Sequence, residues 1–459
     1  TGTGGTVRLM GHNNVRAENI QLTASEINVN ATTGGGAGTI EFQTKSLTLS
    51  TNTDVSANSF SPGPAGTVTV RQADNVTIGT GSRVLTDAVI TLGGTPQRPA
   101  GSILFETQQL TISGGGLLRS SALPLSTGNA GSVTVQGKAG AGSFSGSILI
   151  DGGGSGIFTN TQGIGEGGNI TLTANEVTIQ NGGTVSASTS GNAVTARGGT
   201  INMVAGRLVE LNSGGSISAS STGPGNAGDI AINAGQQFEM RDSSVTAKAT
   251  QASGGNIDIR AVDRIRLVNS EISSSVQGGT STAGGNITID PNVVVLQNSR
   301  VIAQAVQGAG GNITITTPLF LADSTSLVDA SSQKGLNGTV TIQSPTSNLS
   351  ESLGTLPSEP GQAQTLLTQR CAALANGQTS SFVVAGREQL PADPGGWLTS
   401  PLAFTALSEN LDTDHAVASA PAVMAIASYD TGTVSLRRLT PVGFLMANFA
   451  DSAATGCLS

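Results

Sequence analysis

The chain has 459 residues, of which 11% are charged and 3% are aromatic, and 64 are glycine. Its net charge of −8 argues against nucleic acid as a partner, because phosphate binding requires a basic surface. No apolar run approaches the roughly 18–20 residues that a helix needs to span a bilayer. Glycine, small residues and β-branched residues favour thin, regular layers of strand and turn over a bulky globular core.

The N-terminal residues, TGTGGTVRLM, resemble the middle of a repeat, and they contain neither an initiator methionine nor a signal peptide. We therefore expect a processed or truncated chain, whose first residue is not evidence for a cytosolic location.

An apolar residue after a glycine-rich pair recurs with a mean spacing of about 30 residues, which is within the range of known solenoid repeats. The sequence GGNITI at 284–289 and 310–315 is the clearest instance. These anchor residues are Val7, Ile40, Val68, Ile103, Val133, Ile170, Ile201, Ile230, Ile257, Ile287, Ile313 and Val340.

Each repeat predicts three short strands. The anchor begins one alternating pair, such as Ile170-x-Leu172. A second pair follows, such as Val177-x-Ile179, and after a polar corner residue a third, such as Val185-x-Ala187. Alternation indicates that one face of each strand is buried. The corner residues predict a structural column along the stack; they are Asn181, Asn212, Asp242, Asn269, Asn298 and Asp323.

A single repeat cannot bury its apolar face, whereas stacked repeats can. The sequence therefore predicts an all-β chain, a right-handed parallel β-helix whose shaft spans residues 1–345 with about twelve rungs. We expect each Gly-Gly-Asn corner to tolerate positive φ. Stacked amides hydrogen-bond from rung to rung, so a second column is expected at Asn169, Asn256, Asn286 and Asn312.

The sequence offers little catalytic chemistry. The two histidines, His12 and His415, are far apart, and no zinc, triad or calcium-loop motif occurs. Gly163-x-Gly165-x-x-Gly168 leads into a predicted strand, whereas a dinucleotide site needs a helix there.

Asp258 and Asp290 lie near the first strands of successive rungs, and Asp242 lies on a corner near Asn212 and Asn269. Stacking could bring such residues together, so a polysaccharide lyase or hydrolase stays open as an alternative. We expect no catalytic residue, no cofactor and no metal.

Beyond the shaft the pattern changes. Residues 346–362 form a Ser/Pro/Gly-rich linker. Residues 363–459 predict a small α+β module with a short helix, a strand and a hairpin around Asp430-Thr431-Gly432. Cys371 and Cys457, both in this module, suggest a disulfide and a location outside the cytosol; two separate thiols are the alternative. The module either caps the solenoid or holds the protein at its site of action.

The sequences RCAALANGQTSSFVVAGREQLPADPGGWL and VSLRRLTPVGFLMANFADSAATGC resemble the C-terminal region of cyanobacterial exoproteins of the filamentous-haemagglutinin type. These exoproteins have β-helical shafts and are exported by two-partner secretion. The resemblance implies a secreted or surface-held adhesin or matrix component. It also implies an outer-membrane transporter as a partner, through an N-terminal region that this chain lacks. The family has no catalytic residues to transfer.

Together these features predict a non-catalytic extracellular rod that binds surface glycans or neighbouring cells. The variable loops 86–100, 120–130, 137–168 and 188–199 are the expected recognition surface. Two alternatives stay open: a polysaccharide-active enzyme, and a structural subunit of a sheath or surface layer that self-associates through its solenoid ends.

Overall fold

The computed structural model describes residues 4–89 and 99–345, together with two strands near the C-terminus. The first unit is built from strands, with one short 3-10 helix at His12–Asn14. The strands of its first six turns are β1 (Thr6–Leu9), β2 (Ala17–Thr23), β3 (Glu26–Asn28), β4 (Thr39–Ser50), β5 (Asp54–Ser56), β6 (Thr67–Ile78), β7 (Arg83–Leu85), β8 (Ser102–Ser113), β9 (Leu117–Arg119), β10 (Ser132–Gln136), β11 (Ser145–Asp151), β12 (Gly156–Phe158), β13 (Asn169–Gln180) and β14 (Thr184–Ser186).

The later turns continue the same pattern, with shorter strands after β15. They contain β15 (Ile201–Asn212), β16 (Ser216–Ser218), β17 (Ile230–Asn233), β18 (Gln237–Arg241), β19 (Ser244–Thr246), β20 (Ile257–Arg260), β21 (Arg264–Val268), β22 (Glu271–Ser273), β23 (Ile287–Asp290), β24 (Val293–Gln297), β25 (Arg300–Ile302), β26 (Ile313–Thr316), β27 (Leu319–Ala322), β28 (Leu327–Asp329) and β29 (Val340–Gln343).

These strands form two parallel sheets, one of 18 strands and one of 11. The smaller sheet contains the third predicted strand of each complete turn, in sequence order from β3 to β28. The prediction of three separate strands is wrong for five turns, where the first two are one continuous strand: β4, β6, β8, β13 and β15. In the larger sheet every anchor residue pairs with the anchor of the next turn, from Val7 opposite Ile40 to Ile313 opposite Val340. The predicted parallel β-solenoid is therefore confirmed. It has eleven turns with all of their strands, and β29 begins a twelfth.

The core is a set of aliphatic columns that run along the solenoid. Alternate residues of each strand point inward, as in β4, where Ile40 and Phe42 are fully buried. The same positions of later turns carry Val, Ile, Leu, Met or Phe, such as Ile170 and Leu172 on β13. Each fully buried side chain of this kind contributes about 1.5–3 kcal/mol. One continuous apolar core thus joins all the turns.

The prediction that the Gly-Gly-Asn corners adopt positive φ is wrong, because none of those glycines lies in the left-handed region. Their role is close approach between turns. A Cβ built on Gly255 would lie 1.8 Å from the carbonyl oxygen of Gly228, so no side chain fits. The same contact recurs along what we call the glycine column: Gly5, Gly38, Gly66, Gly101, Gly131, Gly168, Gly199, Gly228, Gly255, Gly285, Gly311 and Gly338.

The second unit contains two described strands, β30 (Ala425–Asp430) and β31 (Thr433–Arg438), which pair in antiparallel fashion with Asp430 opposite Thr433. This pairing is the hairpin predicted around Asp430-Thr431-Gly432. Cys371 and Cys457, the predicted linker and the predicted helix lie outside the described residues. The boundary between the two units falls at Ser358 and Glu359, inside the predicted linker.

Candidate binding surface

Four of the six predicted corner residues occupy equivalent positions after the second strand of their turns. Asn181, Asp242, Asn269 and Asn298 all have φ near +50°, a conformation that Asn and Asp tolerate better than most residues. We call these positions the outer corner column.

Asn212 and Asp323 lie one residue before that column. Asn212 is the last residue of β15 and pairs with Arg241, and its neighbour Ser213 takes the positive φ of 48°. The displacement of Asn212 has a local cause. Strand β15 contains one residue more than β13 between Ala205 and Leu208, where the register of the two strands shifts.

Side chains of the outer corner column hydrogen-bond from turn to turn. The Asn269 amide donates to Asp242 Oδ1 at 3.0 Å, and the Asn298 amide donates to Asn269 Oδ1 at 2.9 Å. The backbone N–H of Asn298 donates to Asp323 Oδ2 at 2.8 Å. Asn181 donates instead to Asp151 Oδ1, at 2.7 Å. The column is thus a polar ladder, which spans its last turns without a break.

Asp323 ends this ladder with a strongly ionised carboxylate. Its Oδ1 accepts hydrogen bonds from the Ser326 hydroxyl at 2.7 Å and from the Thr325 hydroxyl at 2.9 Å. The Ser326 hydroxyl, followed by the Asn298 N–H, lowers the pKa of Asp323 from 3.8 to about 2. Both donors favour the charged form, so Asp323 acts as a turn cap and not as a proton donor.

A polar groove of about 490 Å³ runs beside this ladder. Its walls include Asp242, Asn269 and Asn298 on one side and Glu271 and Arg300 on the other. Glu271 is flanked by two cations, Lys248 at 2.5 Å and Arg300 at 3.7 Å. Glu271 and Arg300 of the groove therefore pair with each other, and Asp242 accepts from the Asn269 amide.

A second ladder, which the sequence analysis did not identify, follows the third strand of each turn. We call it the inner ladder. Asn58 donates its backbone N–H to Asn30 Oδ1 at 2.7 Å, and Asp87 donates its own to Asn58 Oδ1 at 2.7 Å. The same bond recurs in the following turns. The backbone N–H of Ser121 donates to the side chain of Asp87, that of Asn160 to Ser121, that of Ser188 to Asn160, that of Ser220 to Ser188, and that of Lys248 to Ser220.

Asp87 is the buried acid of the inner ladder, with no exposed surface. Burial raises the pKa of Asp87, against the opposing effect of Arg119, whose Nε and Nη2 lie 2.9 and 2.7 Å from Oδ2. The other carboxylate oxygen accepts the Ser121 N–H at 2.9 Å. Both oxygens of Asp87 are thus engaged beneath the surface, although a raised pKa in a carboxylate is often a sign of function.

Asp258 and Asp290, which the sequence left as a carboxylate pair, are separated by a guanidinium. Arg260 lies opposite Asp290 in the paired strands β20 and β23. Arg260 also binds both oxygens of Asp258, at 3.1 and 2.9 Å. The hydrogen bond with Asp258 raises the pKa of Arg260, and Asp290 contributes in the same direction. The three groups form a charge network rather than an acid and base pair.

The Asn residues of the Gly-Gly-Asn corners form a third ladder in the later turns. Asn286 donates its backbone N–H to Asn256 Oδ1 at 3.0 Å, and Asn312 donates to Asn286 Oδ1 at 3.0 Å. Asp229 begins this ladder by accepting from Asn256. Asn169 does not belong to it, because its N–H donates to the carbonyl oxygen of Gly131.

The glycines Gly163, Gly165 and Gly168 lead into the strand β13, and no helix follows them. Within residues 4–89 and 99–345, no group of three or more His, Cys, Asp or Glu side chains is arranged to hold a metal ion. No helix in the described part of the chain has the length and apolar character needed to cross a membrane.

Comparisons of this chain with protein-family models, with curated proteins and with solved structures found no match.

Proposed function

We propose that this chain is a non-catalytic adhesive rod that acts outside the cell and binds polysaccharides of surfaces or neighbouring cells. The observation that carries the proposal is the use of the carboxylates of the solenoid. Asp87, Asp258 and Asp323 each hold a neighbouring turn or a partner cation. Side chains that bind one turn to the next favour a stiff scaffold, on whose surface loops binding groups are presented.

The chemistry of glycoside cleavage supports the same reading. Hydrolysis requires an acid and a base on opposite sides of the scissile bond, with their carboxyl groups about 5–10 Å apart and their pKa values set apart. Asp87 has the raised pKa of an acid, but Arg119 and Ser121 occupy its oxygens below the surface. Asp258, the exposed candidate, is neutralised by Arg260.

The proposed extracellular location is supported by the resemblance of the C-terminal sequence to secreted filamentous-haemagglutinin-type proteins and by the two cysteines of that region. On this proposal an outer-membrane transporter exports the chain through a preceding N-terminal region. Few exposed charges and many Ser, Thr and Asn side chains then make the shaft suitable for many weak polar contacts with hydroxyl-rich polymers.

The test is incubation of the purified chain with a panel of insoluble cell-surface and matrix polysaccharides. Two quantities are measured: the fraction of protein that co-sediments and the masses of any soluble products. We expect co-sedimentation with one or more polymers and no new oligosaccharides. Release of oligosaccharides would contradict the non-catalytic proposal and favour the enzyme, whereas absence of binding to every polymer would contradict the adhesive one.

A further inference from the structure

A groove between β9 and β12 has features that the ladders do not use. It encloses about 270 Å³ and is lined by Leu117, Arg119, Leu123, Phe158, Asn160 and Gln162, among others. Leu123 belongs to the variable loop 120–130, and the last three belong to the variable loop 137–168. The volume is just under the range of about 300–1,000 Å³ that is usual for small-molecule sites. It therefore suits one ring of a longer ligand.

The floor of the groove is an aromatic ring that lies along its own strand. Phe158 points outward from β12, opposite Arg119 of the previous turn and Ser186 of the next. A Cβ built on Gly156 would lie 2.7 Å from both Cε2 and Cζ of Phe158. The ring therefore covers the backbone of Gly156 and forms a shelf beside Leu117.

Polar groups at the rim of this shelf have hydrogen-bonding capacity left over. Arg119 uses Nε and Nη2 on Asp87, and Asn160 uses its Oδ1 to accept from Ser186 and Ser188. Among the described residues, no hydrogen bond is recorded for Arg119 Nη1, for the Asn160 amide nitrogen or for the exposed Gln162 side chain. The rim thus offers donors on three side chains, together with the acceptor of Gln162.

The charge of the groove decides between classes of ligand. Arg119 is the charged residue of its lining, and Asp87 lies directly behind it and neutralises it. A net-neutral site with an apolar shelf and amide and guanidinium donors suits an uncharged ring that has C–H groups on one face and hydroxyls around its edge. Neutral pyranoses have this arrangement.

We propose that the groove between β9 and β12 is a subsite for one neutral pyranose unit of a polysaccharide, with Phe158 as its stacking platform. This inference rests on the proposed adhesive function and names the ligand class that this part of the shaft takes. Arg119, Asn160 and Gln162 bind the ring hydroxyls, and Leu117 and Leu123 close the apolar sides.

The test uses the whole chain and three soluble probes, cellohexaose, mannohexaose and hexagalacturonic acid, with affinities measured by titration calorimetry. Phe158→Ala removes the platform, and we expect it to weaken binding of a neutral hexasaccharide roughly tenfold, as is usual for loss of an aromatic anchor. Phe158→Trp keeps a platform and is expected to bind within about threefold of the native chain. Gln162→Ala, which lies outside the inner ladder, is expected to weaken binding about threefold.

Phe144→Ala is the matched control, because Phe144 is also partly exposed and belongs to the same turn but does not line the groove. We expect it to bind the hexasaccharides with the affinity of the native chain. We expect all four variants to have the melting temperature of the native chain.

Equal affinities of Phe158→Ala and Phe144→Ala for the hexasaccharides would overturn the subsite and leave the adhesive function intact. Phe158-dependent binding of hexagalacturonic acid alone would overturn the neutral ligand class. If insoluble polymers co-sediment but no hexasaccharide binds, the subsite is wrong, and if no polymer co-sediments either, the adhesive proposal fails with it.

Discussion

At the scale of single residues, the repeated glycines are explained by distance rather than by dihedral angle. From Gly38 onward, each residue of the glycine column lies so close to the carbonyl oxygen of the preceding member that a Cβ has no room, as at Gly255 and Gly228. A sequence shows that glycine recurs, but either of two physical requirements can select glycine: a positive φ, or close approach of a neighbouring backbone. Here the spacing between stacked backbones is the requirement.

The glycine column predicts a position-specific cost for adding one methyl group. Gly255→Ala places a carbon 1.8 Å from the Gly228 oxygen, and relief of that clash moves backbone. We expect a loss of about 1–3 kcal/mol in the free energy of unfolding, measured by chemical denaturation. Gly279→Ala is the control, because a Cβ there meets nothing within 4 Å, and we expect a change within about 0.5 kcal/mol. Equal losses at the two positions would contradict the close-approach explanation.

The low pKa of Asp323 predicts the direction in which pH acts on the last turns. Its pKa is about 2 in the folded chain and 3.8 without these partners. A depressed carboxyl pKa contributes stability that is present above the unfolded value and is lost as the pH falls through the folded value. We expect its carboxyl carbon to titrate near pH 2 by NMR, and we expect Ser326→Ala to raise that midpoint. A midpoint near 3.8 in the native chain would refute the capping role.

At the scale of elements, strand pairs are reinforced by side chains that reach the backbone of the next turn. The inner ladder places an oxygen of one turn against the N–H of the following turn, and its members include Asn, Asp and Ser. Lys248 interrupts it, because an ammonium group has no acceptor. The pattern resumes where Ser275 accepts from Gln304 at 3.1 Å. Third strands of only three residues are thereby held in register.

Removal of one oxygen from the inner ladder tests its contribution. Asn58→Ala leaves the N–H of the fully buried Asp87 without its acceptor. An unsatisfied buried donor costs about 1–3 kcal/mol, and we expect that loss in the free energy of unfolding. Asn28→Ala serves as comparison, since the exposed Asn28 amide donates, within the described part of the chain, to the neighbouring Glu26 side chain alone. That variant is expected to stay within about 0.5 kcal/mol of the native chain, and a matching loss there would discount the ladder.

The strand register was predictable from sequence, because one face of every strand is apolar and a slip by one residue exposes it. All twelve anchors pair as the spacing indicated. The corner residues were predictable only in turns where an Asn or Asp occupies the positive-φ position itself. At Asn212 the extra residue of β15 moved Ser213 into the corner. The inner ladder escaped prediction because its members share an acceptor oxygen rather than a residue type. The pair of the buried Asp87 and the partly exposed Arg119 joins residues of different turns, which no local pattern reveals.

At the scale of the whole solenoid, each turn packs on its neighbours, and two ion pairs of Asp74, with Arg16 and with Lys138, reach across one intervening turn. Stability is then approximately a sum of turns and of the interfaces between them. Core side chains of the middle turns are covered on both sides, as Ile217 is, with no exposed surface. Val7, Phe320 and Ile342, which belong to the first and last described turns, are only partly buried.

The same substitution is therefore expected to have different costs along the solenoid. Ile217→Ala removes a side chain that is enclosed by two turns, and we expect the free energy of unfolding to fall by about 2–5 kcal/mol. Ile342→Ala on β29 removes a half-buried side chain, and we expect the free energy of unfolding to fall by less than about 2 kcal/mol. Hydrogen exchange of amides near each site is the readout. Equal effects at both sites would mean that the chain unfolds as a single unit rather than turn by turn.

The hydrogen bonds of the inner ladder and of the Asn256–Asn286–Asn312 series have a common direction. In both, a side chain of the earlier turn accepts from the backbone of the later one. A finished turn therefore carries, on its forward edge, oxygens already positioned for residues that have yet to arrive. At these two ladders the edge of a finished turn is a template for the next turn, whereas the backbone N–H groups of Ser243, Ser270 and Ser299 donate forward to hydroxyls of the following turn. A chain that emerges N-terminus first from a narrow pore can fold against its own completed part.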